Sequence, residues 1–207
     1  LVGSCHRPPE NGPGKNGGTG IMAEGWITSP QKGILFTKHP GELEFMTSAN
    51  TDPTIVVDTT QRYQEIDGFG NCLTGGSAIL LNNMSQPERT RLLRELFSSD
   101  GSGIGISYLR ITIGASDLSD RVFTYCDLPP GETDPQMEHF SIEPERADLI
   151  PVLKEILAIN PSLKILGSPW TAPLWMKTNN ASVGGSLKHE WFEAYANYFV
   201  KYIQAMK

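Results

Sequence analysis

Three acidic side chains lie close together in the stretch GASDLSDRVFTYCD, at Asp117, Asp120 and Asp127. Two carboxyl groups held near each other can divide the roles of general acid and general base. Three acids within eleven residues of a polar loop are more often simply solvated, and an aspartate in a turn such as GASDLS commonly caps its own backbone. Spacing alone therefore makes this loop a candidate site and leaves the ordinary structural alternative open.

Two tryptophans, Trp170 and Trp175, lie in the stretch GSPWTAPLWMKTNN together with Pro169 and Pro173. A loop stiffened by proline can present indole faces at little entropic cost. Such faces stack on the C–H faces of sugars while neighbouring polar groups such as Asn179 bind hydroxyls. The alternative is that both indoles are core residues. Two tryptophans in one polar loop favour binding.

A charged residue, Arg110, interrupts the otherwise apolar strand pattern YLRITI. If the strand is buried, the guanidinium must find a carboxylate or water to offset its desolvation, so a buried arginine predicts a buried acid. A structural ion pair and an active-site role satisfy this requirement equally well.

Other kinds of catalytic machinery lack their sequence patterns. The four histidines lie in unrelated segments without an HExxH pattern, and no GxSxG elbow is present. The three cysteines, Cys5, Cys72 and Cys126, show no metal-ligand spacing. We therefore predict neither a metal site nor a cofactor, and we interpret the cysteines mainly as free thiols.

Composition restricts the possible partners. The 207 residues are 39% hydrophobic with a formal net charge of −6, which predicts a globular chain and argues against nucleic acid as a partner. No apolar run approaches the roughly 20 residues that span a bilayer, so no transmembrane segment is predicted.

The N-terminal pattern LVGSC resembles the end of a bacterial lipoprotein signal, in which Cys5 would be lipidated. This interpretation predicts a secreted or cell-envelope protein with a lipid anchor. The alternative is an arbitrary starting point of the sequence.

The chain divides into three parts by composition. Residues 1–23 include RPPENGPGKNGGTG, which is too poor in apolar residues to order itself and predicts a flexible tail. Residues 24–62 contain the strand-like runs GWIT, GILF, LEFM and TIVVD, which predict a small β unit. Residues 63–207 alternate short apolar runs with helical patterns, as βα units do.

Three βα units can be counted in residues 63–207. Strands are predicted at 66–69, 104–113 and 164–168. Helices are predicted from a capping box at Ser85, from about Asp148 and from about His189. The apolar residues of the third helix predict one buried face, made of Phe192, Tyr195, Phe199 and Ile203.

Three parallel units leave an open sheet edge, so we considered two larger architectures. In an open doubly wound sheet, a glycine-rich phosphate loop would be expected, but GFGNCLTGG lacks the GxGxxG spacing. We therefore favour an α/β fold that is an incomplete (β/α)8 barrel, preceded by strands of a small β-sandwich. Functional groups are expected at the C-terminal ends of the strands.

The segments IDGFGNCLTGGSA, SYLRITIGASDLSDRVFTYCDLP and LKILGSPWTAPLWMKTNN, followed by GGSLK and YANYFVKYIQAM, resemble in order and spacing the N-terminal part of family 30 glycoside hydrolases. The resemblance covers roughly residues 25–207. It is strongest to the bacterial β-1,6-glucanase-like branch, because the glucosylceramidase-type pattern has an aspartate where this chain has Gly75.

The resemblance implies a barrel with an attached β-sandwich and a retaining hydrolysis of β-glucans or related β-glucosides. Arg110 would approach the nucleophile, Asp117 would bind sugar hydroxyls, Trp170 would line the same pocket and Trp175 the adjacent loop. The family's two catalytic glutamates are expected beyond residue 207, since no Asn-Glu pair occurs here. The isolated chain is therefore expected to be inactive. The alternatives are glucosylceramidase-type activity or a noncatalytic carbohydrate-binding module.

Overall fold

The computed structural model describes residues 2–6, 18–47, 51, 53, 55–101 and 103–207. The chain forms two compact units, residues 1–64 and 65–207. The sequence had placed this boundary between residues 62 and 63.

The first unit contains an antiparallel sheet of four strands. These are β1 (Val2–His6), β2 (Gly18–Ser29), β3 (Ile34–Lys38) and β4 (Leu43–Met46). The long strand β2 pairs with all three others, in the order β1-β2-β3 with β4 also on β2. The predicted strands GILF and LEFM coincide with β3 and β4, whereas Ile55–Asp58 of the predicted strand TIVVD forms no strand.

The prediction of a flexible tail over residues 1–23 is wrong for both of its ends. Residues 2–6 form β1 and residues 18–23 begin β2, and Cys5 pairs with Ala23. Composition predicted no ordered structure here, because it does not register the backbone hydrogen bonds that the edge of β2 offers whatever the side chains are. Residues 7–17 lie outside the described residues. Lipidation of Cys5 stays a prediction.

The second unit is built on a parallel sheet with helices packed on it. Its strands β5 (Gly70–Leu73), β6 (Tyr108–Ile113) and β7 (Lys164–Pro169) are adjacent in chain order. Its helices are α1 (Gly75–Asn82), α2 (Gln86–Phe97), α3 (Leu149–Ile159) and α4 (Phe192–Ala205). The parallel register confirms a mixed α/β architecture of successive βα units.

The largest difference from the predicted elements is at the first βα unit. The strand lies at Gly70–Leu73, not at 66–69, and a separate helix, α1, follows it directly. Thr74 caps α1 by accepting a hydrogen bond from the Ser77 backbone at 3.2 Å. At the start of α2, the Ser85 hydroxyl bonds the Glu88 carboxylate and not the helix backbone, so the predicted capping box is incomplete.

Two apolar clusters stabilise the second unit. The first lies between the sheet and helices α1 to α3, and its buried residues include Leu93, Leu109, Ile111, Leu149, Val152 and Ile156. The second lies under the loops that follow β6 and β7. It includes Tyr125, Met137, Trp175, Met176, Tyr198 and Tyr202. The candidate site therefore rests on a packed aromatic layer.

Helix α4 buries the predicted face only in part: Tyr195 and Phe199 are partly buried against the second cluster. Ala194, Tyr198 and Tyr202 are buried, whereas Phe192 and Ile203 are 49% and 56% exposed. Tyrosine can occupy the core here because its polar tip finds a partner: the Tyr198 hydroxyl accepts a hydrogen bond from the Tyr125 backbone at 3.2 Å. The predicted pattern located one side of this face and omitted its most buried residues, Tyr198 and Tyr202.

The side chain of Glu145 is a buried carboxyl in this aromatic layer. It accepts a hydrogen bond from the Tyr125 hydroxyl at 2.8 Å and is 4% exposed. Burial is the main cause that raises the pKa of Glu145, and the Tyr125 hydrogen bond and the charge of Arg121 offset it only in part. A carboxyl whose pKa is raised by folding contributes its full stability below its pKa in the unfolded chain, where it is protonated. This contribution is lost as the pH rises through its pKa in the folded chain.

We expect Glu145→Gln to become increasingly stabilising, relative to the native chain, as the pH rises above the ordinary glutamate pKa of 4.5. The amide keeps an acceptor for Tyr125 and cannot ionise. Urea unfolding of both chains at a series of pH values measures the difference in free energy of unfolding. Glu143→Gln, an exposed neighbour paired with Arg146, is the control that should show no such trend. A pH-independent difference for Glu145→Gln would contradict the assignment.

No helix among the described residues is long and apolar enough to cross a membrane.

Candidate active site

Parallel pairing places the C-terminal ends of β5, β6 and β7 at one edge of the sheet. The loop after β6 runs from residue 114 to 148, and the loop after β7 runs from residue 170 to 191. Both loops leave from this edge, so the candidate residues on them share one end of the unit. This is where groups on a βα scaffold can converge on a ligand.

Arg110 lies on the sheet face opposite the helices, and its side chain is exposed. The prediction that it is buried was wrong, because at this position β6 exposes the side that faces away from the helices. Leu109 and Ile111 pack on the helices, while Arg110 between them points to the opposite face, where its side chain is exposed. Its Nη2 donates to Ser168 Oγ at 2.9 Å, and its Nη1 lies 3.9 Å from Cys72 Sγ. Among the described residues, no carboxylate is within ion-pair distance of this guanidinium.

A concavity of about 330 Å³ lies beside Arg110. It is lined by Gly68, Gly70, Asn71, Cys72, Tyr108 and Arg110. The guanidinium therefore forms one wall of an open hollow on the sheet face and can receive an acidic group there.

The three aspartates of the loop after β6 have different environments. Asp127 accepts hydrogen bonds from the backbone and hydroxyl of Thr124, at 2.7 and 2.6 Å, and so fixes a turn. Asp120 lies 3.5 Å from Arg121, and both are exposed. Asp117 is exposed and has no hydrogen-bond partner among the described residues.

The turn around Asp117 is held by serines and not by the aspartate. The Ser116 backbone donates to Ser119 Oγ at 2.9 Å, and the Leu118 backbone donates to Ser116 Oγ at 3.1 Å. The Leu118 carbonyl accepts from the Gly76 backbone at the start of α1. The Asp117 carboxylate is therefore displayed by a fixed turn and is free to accept hydrogen bonds from a ligand.

Trp170 is 38% exposed and forms one wall of a hollow of about 380 Å³. The remaining lining comes mainly from the same loop and includes Thr171, Lys177, Ser182, Gly184, Gly185 and Tyr195. An exposed indole bordering a hollow with both apolar and polar lining is the arrangement that stacks against a sugar ring.

Trp175 has a different environment, because it is only 8% exposed. Its Nε1 donates to the Cys126 carbonyl at 3.0 Å, and its ring meets Trp191 edge to face with centroids 5.1 Å apart. This indole lies beneath the loop and ties it to the loop after β6. Direct contact with substrate stays a prediction, and the geometry favours a supporting role.

Asn179 uses its amide within its own loop. Its Nδ2 donates to the Val183 carbonyl at 2.8 Å, and its Oδ1 accepts from the Ala181 backbone at 3.2 Å. Substrate binding by Asn179 stays a prediction.

Lys177 is a residue that sequence reasoning missed. It is 6% exposed, and its Nζ donates to Thr171 Oγ1 at 3.0 Å and to the Ser182 carbonyl at 2.9 Å. Desolvation lowers the pKa of this lysine. The only sequence signal was its position directly after the apolar LWM triplet, which forms a buried 3₁₀ turn.

The remaining chemical groups offer no other reaction centre among the described residues. No cluster of histidine, cysteine and acidic side chains there could hold a metal ion. Burial raises the pKa of Cys126 to about 12, with the charge of Asp134 adding to the effect, so this thiol is a poor nucleophile. An indole, a free carboxylate and a guanidinium, each able to bind a polyhydroxylated ligand, are thus carried by β6 and by the two loops that leave this edge of the sheet.

Comparison with models of known protein families matches the second unit to one family. The family model described as the glycosyl hydrolase family 30 TIM-barrel domain matches residues 66–207. The match covers the whole parallel sheet and both loops of the candidate site.

Relatives of two activities are similar to the chain. An endo-1,6-β-D-glucanase of Trichoderma harzianum is 38% identical over 164 residues, covering 72% of this chain and 33% of the relative. The lysosomal acid glucosylceramidase of Mus musculus is 34% identical, covering 73% of this chain and 30% of the relative.

Solved structures agree with these matches. An endo-β1,6-glucanase superposes with a TM-score of 0.65 at 38% identity, covering 83% of this chain and 37% of that one. SrfJ from Salmonella typhimurium gives a TM-score of 0.66 at 29% identity, covering 81% of this chain and 38% of that one. The chain thus spans about a third of the length of these relatives.

Proposed function

Because the chain belongs to glycosyl hydrolase family 30, we propose that it forms the N-terminal part of a retaining β-glycoside hydrolase acting on β-1,6-glucan or related β-glucosides. The observation that carries the proposal is that an exposed indole, Trp170, and a carboxylate without a partner among the described residues, Asp117, lie on the two loops that leave one edge of the sheet. An indole stacks on the sugar ring, and a carboxylate accepts hydrogen bonds from its hydroxyls.

The guanidinium of Arg110 supports the same proposal. It lies on the open sheet face and has no acidic partner among the described residues, as expected of an arginine placed to meet a carboxylate from elsewhere. In this proposal the three βα units are the first three of an eight-unit barrel, and the carboxylate is the nucleophile.

Retention requires two carboxyl groups about 5 to 5.5 Å apart, one acting as acid and base and the other as nucleophile. We assign neither role to a residue of this chain. Asp127 is committed to its turn, and Asp117 is placed to bind hydroxyls. The 207 residues alone are therefore expected to bind sugar weakly without hydrolysing it.

β-1,6-Glucan is favoured over a glucosylceramide-like substrate by the start of α1. A Cβ atom at Gly75 would lie 3.2 Å from Ser119 Oγ, closer than ordinary contact, so a side chain there would require the Ser119 hydroxyl to shift by a few tenths of an ångström. The first turn of α1 contains no acidic residue. Glucosylceramidase-type activity remains the second candidate because relatives of both activities are similar in identity.

A cell-envelope or secreted location fits a polysaccharide substrate. We propose lipidation of Cys5 as the anchor. Mass spectrometry of the natural protein tests it, since an acylated N-terminal Cys5 is expected and an unmodified Cys5 would exclude it.

The test of function is hydrolysis by the protein at its full natural length. We expect release of reducing ends from β-1,6-glucan, weaker activity on an aryl β-glucoside and little on glucosylceramide. Proton NMR of the first product formed should show the β-anomer. No hydrolysis of any of the three substrates would overturn the proposal.

The 207-residue chain assayed alone separates the remaining alternatives. No turnover is expected, and turnover above that of an Asp117→Ala control would overturn the placement of the catalytic glutamates outside this sequence. A full-length protein that binds β-glucan without hydrolysing it would identify a noncatalytic carbohydrate-binding module instead.

A further inference from the structure

The loop that carries Trp170 has a defined internal structure. Its first part leads from the end of β7 through Trp170 to a 3₁₀ turn, Leu174–Met176. Its second part folds back on this turn. Lys177 and Leu187 form an isolated bridge, and the Lys188 backbone donates to the Met176 carbonyl at 2.9 Å. The hollow beside Trp170 lies between these two parts.

The ammonium of Lys177 connects the two walls of this hollow. One hydrogen bond reaches Thr171 Oγ1, on the residue next to Trp170, and the other reaches the Ser182 carbonyl on the opposite wall. The Thr171 hydroxyl lies 3.3 Å from the Ala172 carbonyl, to which it donates. Lysine, threonine and backbone therefore form a directed chain, in which two of the three ammonium protons and the threonine hydroxyl proton each have an acceptor.

Both partners of Lys177 are neutral oxygens. Among the described residues, no carboxylate lies within ion-pair distance of its Nζ, although the residue is 6% exposed. Burying a cation without a counter-ion costs stability, and an apolar side chain of similar length would avoid this cost. Stability alone therefore does not explain a lysine here, whereas fixing the positions of both walls does.

We propose that Lys177 is a positioning residue that holds the Trp170 wall and the Ser182 wall at the separation needed to receive a sugar ring. The inference rests on the proposed function for the identity of the ligand. A preformed hollow binds more tightly because the loop does not lose conformational freedom when the sugar enters.

Lys177→Met tests the proposal, with Lys188→Met as the matched control. Lys188 is on the same loop, but its Nζ donates to the Trp175 carbonyl at 3.3 Å and not across the hollow. In the full-length protein, Lys177→Met should raise the KM for β-1,6-glucan about tenfold while kcat changes less than about twofold, since the lost interaction orders the binding surface. Lys188→Met should leave KM within about twofold of the native value.

A spectroscopic readout on the 207-residue chain does not depend on activity. The emission of Trp170 is isolated as the difference between each chain and its Trp170→Phe counterpart. Lys177→Met should shift this emission to longer wavelength and increase its quenching by acrylamide, and Lys188→Met should change neither.

Thr171→Val keeps the shape of the side chain and removes the acceptor, and it serves as the second variant if Lys177→Met does not fold. It should reproduce both effects, and combining it with Lys177→Met should add little to either variant alone. Unchanged Trp170 emission in both variants would overturn the positioning role, even if the protein hydrolyses β-glucan. Absence of any sugar hydrolysis would overturn the proposed function, and the emission result would still decide the role of Lys177.

Discussion

Asp117→Ala is expected to lower kcat/KM of the full-length protein for β-1,6-glucan by about a hundredfold, the loss typical of removing a charged hydrogen-bond acceptor from a bound ligand. The structure gives the reason. The turn that contains Asp117 is fixed by Ser116 and Ser119, and the carboxylate contributes nothing to it. Removing the carboxylate should therefore change ligand binding and leave the fold intact.

Thermal unfolding together with kinetics distinguishes this result from a loss of stability. Asp117→Ala should keep the native unfolding temperature. Asp127→Ala is the matched control in the same loop, because its carboxylate makes two hydrogen bonds to Thr124 and should cost about 1 to 2 kcal/mol of stability when removed. Equal loss of stability in the two variants, or native kcat/KM for Asp117→Ala, would contradict the separate roles assigned to these acids.

Gly70→Ala is expected to be the most destabilising single methyl addition in the parallel sheet. A Cβ atom at Gly70 would overlap the Tyr108 carbonyl oxygen on the paired strand. Neither backbone can yield easily, since the Ser107 and Tyr108 amides both donate to the Phe69 carbonyl at 3.1 Å. We expect a loss of about 3 kcal/mol or more in the free energy of unfolding, at the upper end for overpacked sites.

Urea unfolding of the 207-residue chain measures this loss. Asn71→Ala, one residue along the same strand at an exposed position, should change the free energy of unfolding by no more than about 0.5 kcal/mol. Similar unfolding midpoints for Gly70→Ala and Asn71→Ala would show that β5 does not approach β6 as closely as the structure has it.

Some of this structure could be predicted because its signals are local. The apolar runs of YLRITI and KILGS predicted two strands of the parallel sheet, and β7 begins at the predicted residue, Lys164. Strand β5 was placed four residues too early, since IDGF and GNCL each contain two apolar residues and only the pairing of Gly70 with Tyr108 fixes the register.

The different roles of the two tryptophans could not be predicted, because they depend on a partner distant in the chain. Trp170 and Trp175 are five residues apart in the same loop, and the sequence alone does not show which of them is exposed. They differ because the Trp175 indole has an acceptor at Cys126, 49 residues away in the chain. For the aspartates a local signal existed: Thr124 lies three residues before Asp127, a spacing that favours a side-chain turn. No such partner precedes Asp117.

The hydrogen bond between Trp175 and the Cys126 carbonyl, together with the shared aromatic layer beneath, makes the loops after β6 and β7 inseparable for protein engineering. Replacing only the loop after β6 would leave the Trp175 indole without its acceptor. Replacing only the loop after β7 would leave the Cys126 carbonyl and the aromatic layer exposed. Chimeras intended to change glycan preference should therefore exchange residues 114–148 and 170–191 as a single cassette, together with the buried face of α4 that carries Tyr198 and Tyr202.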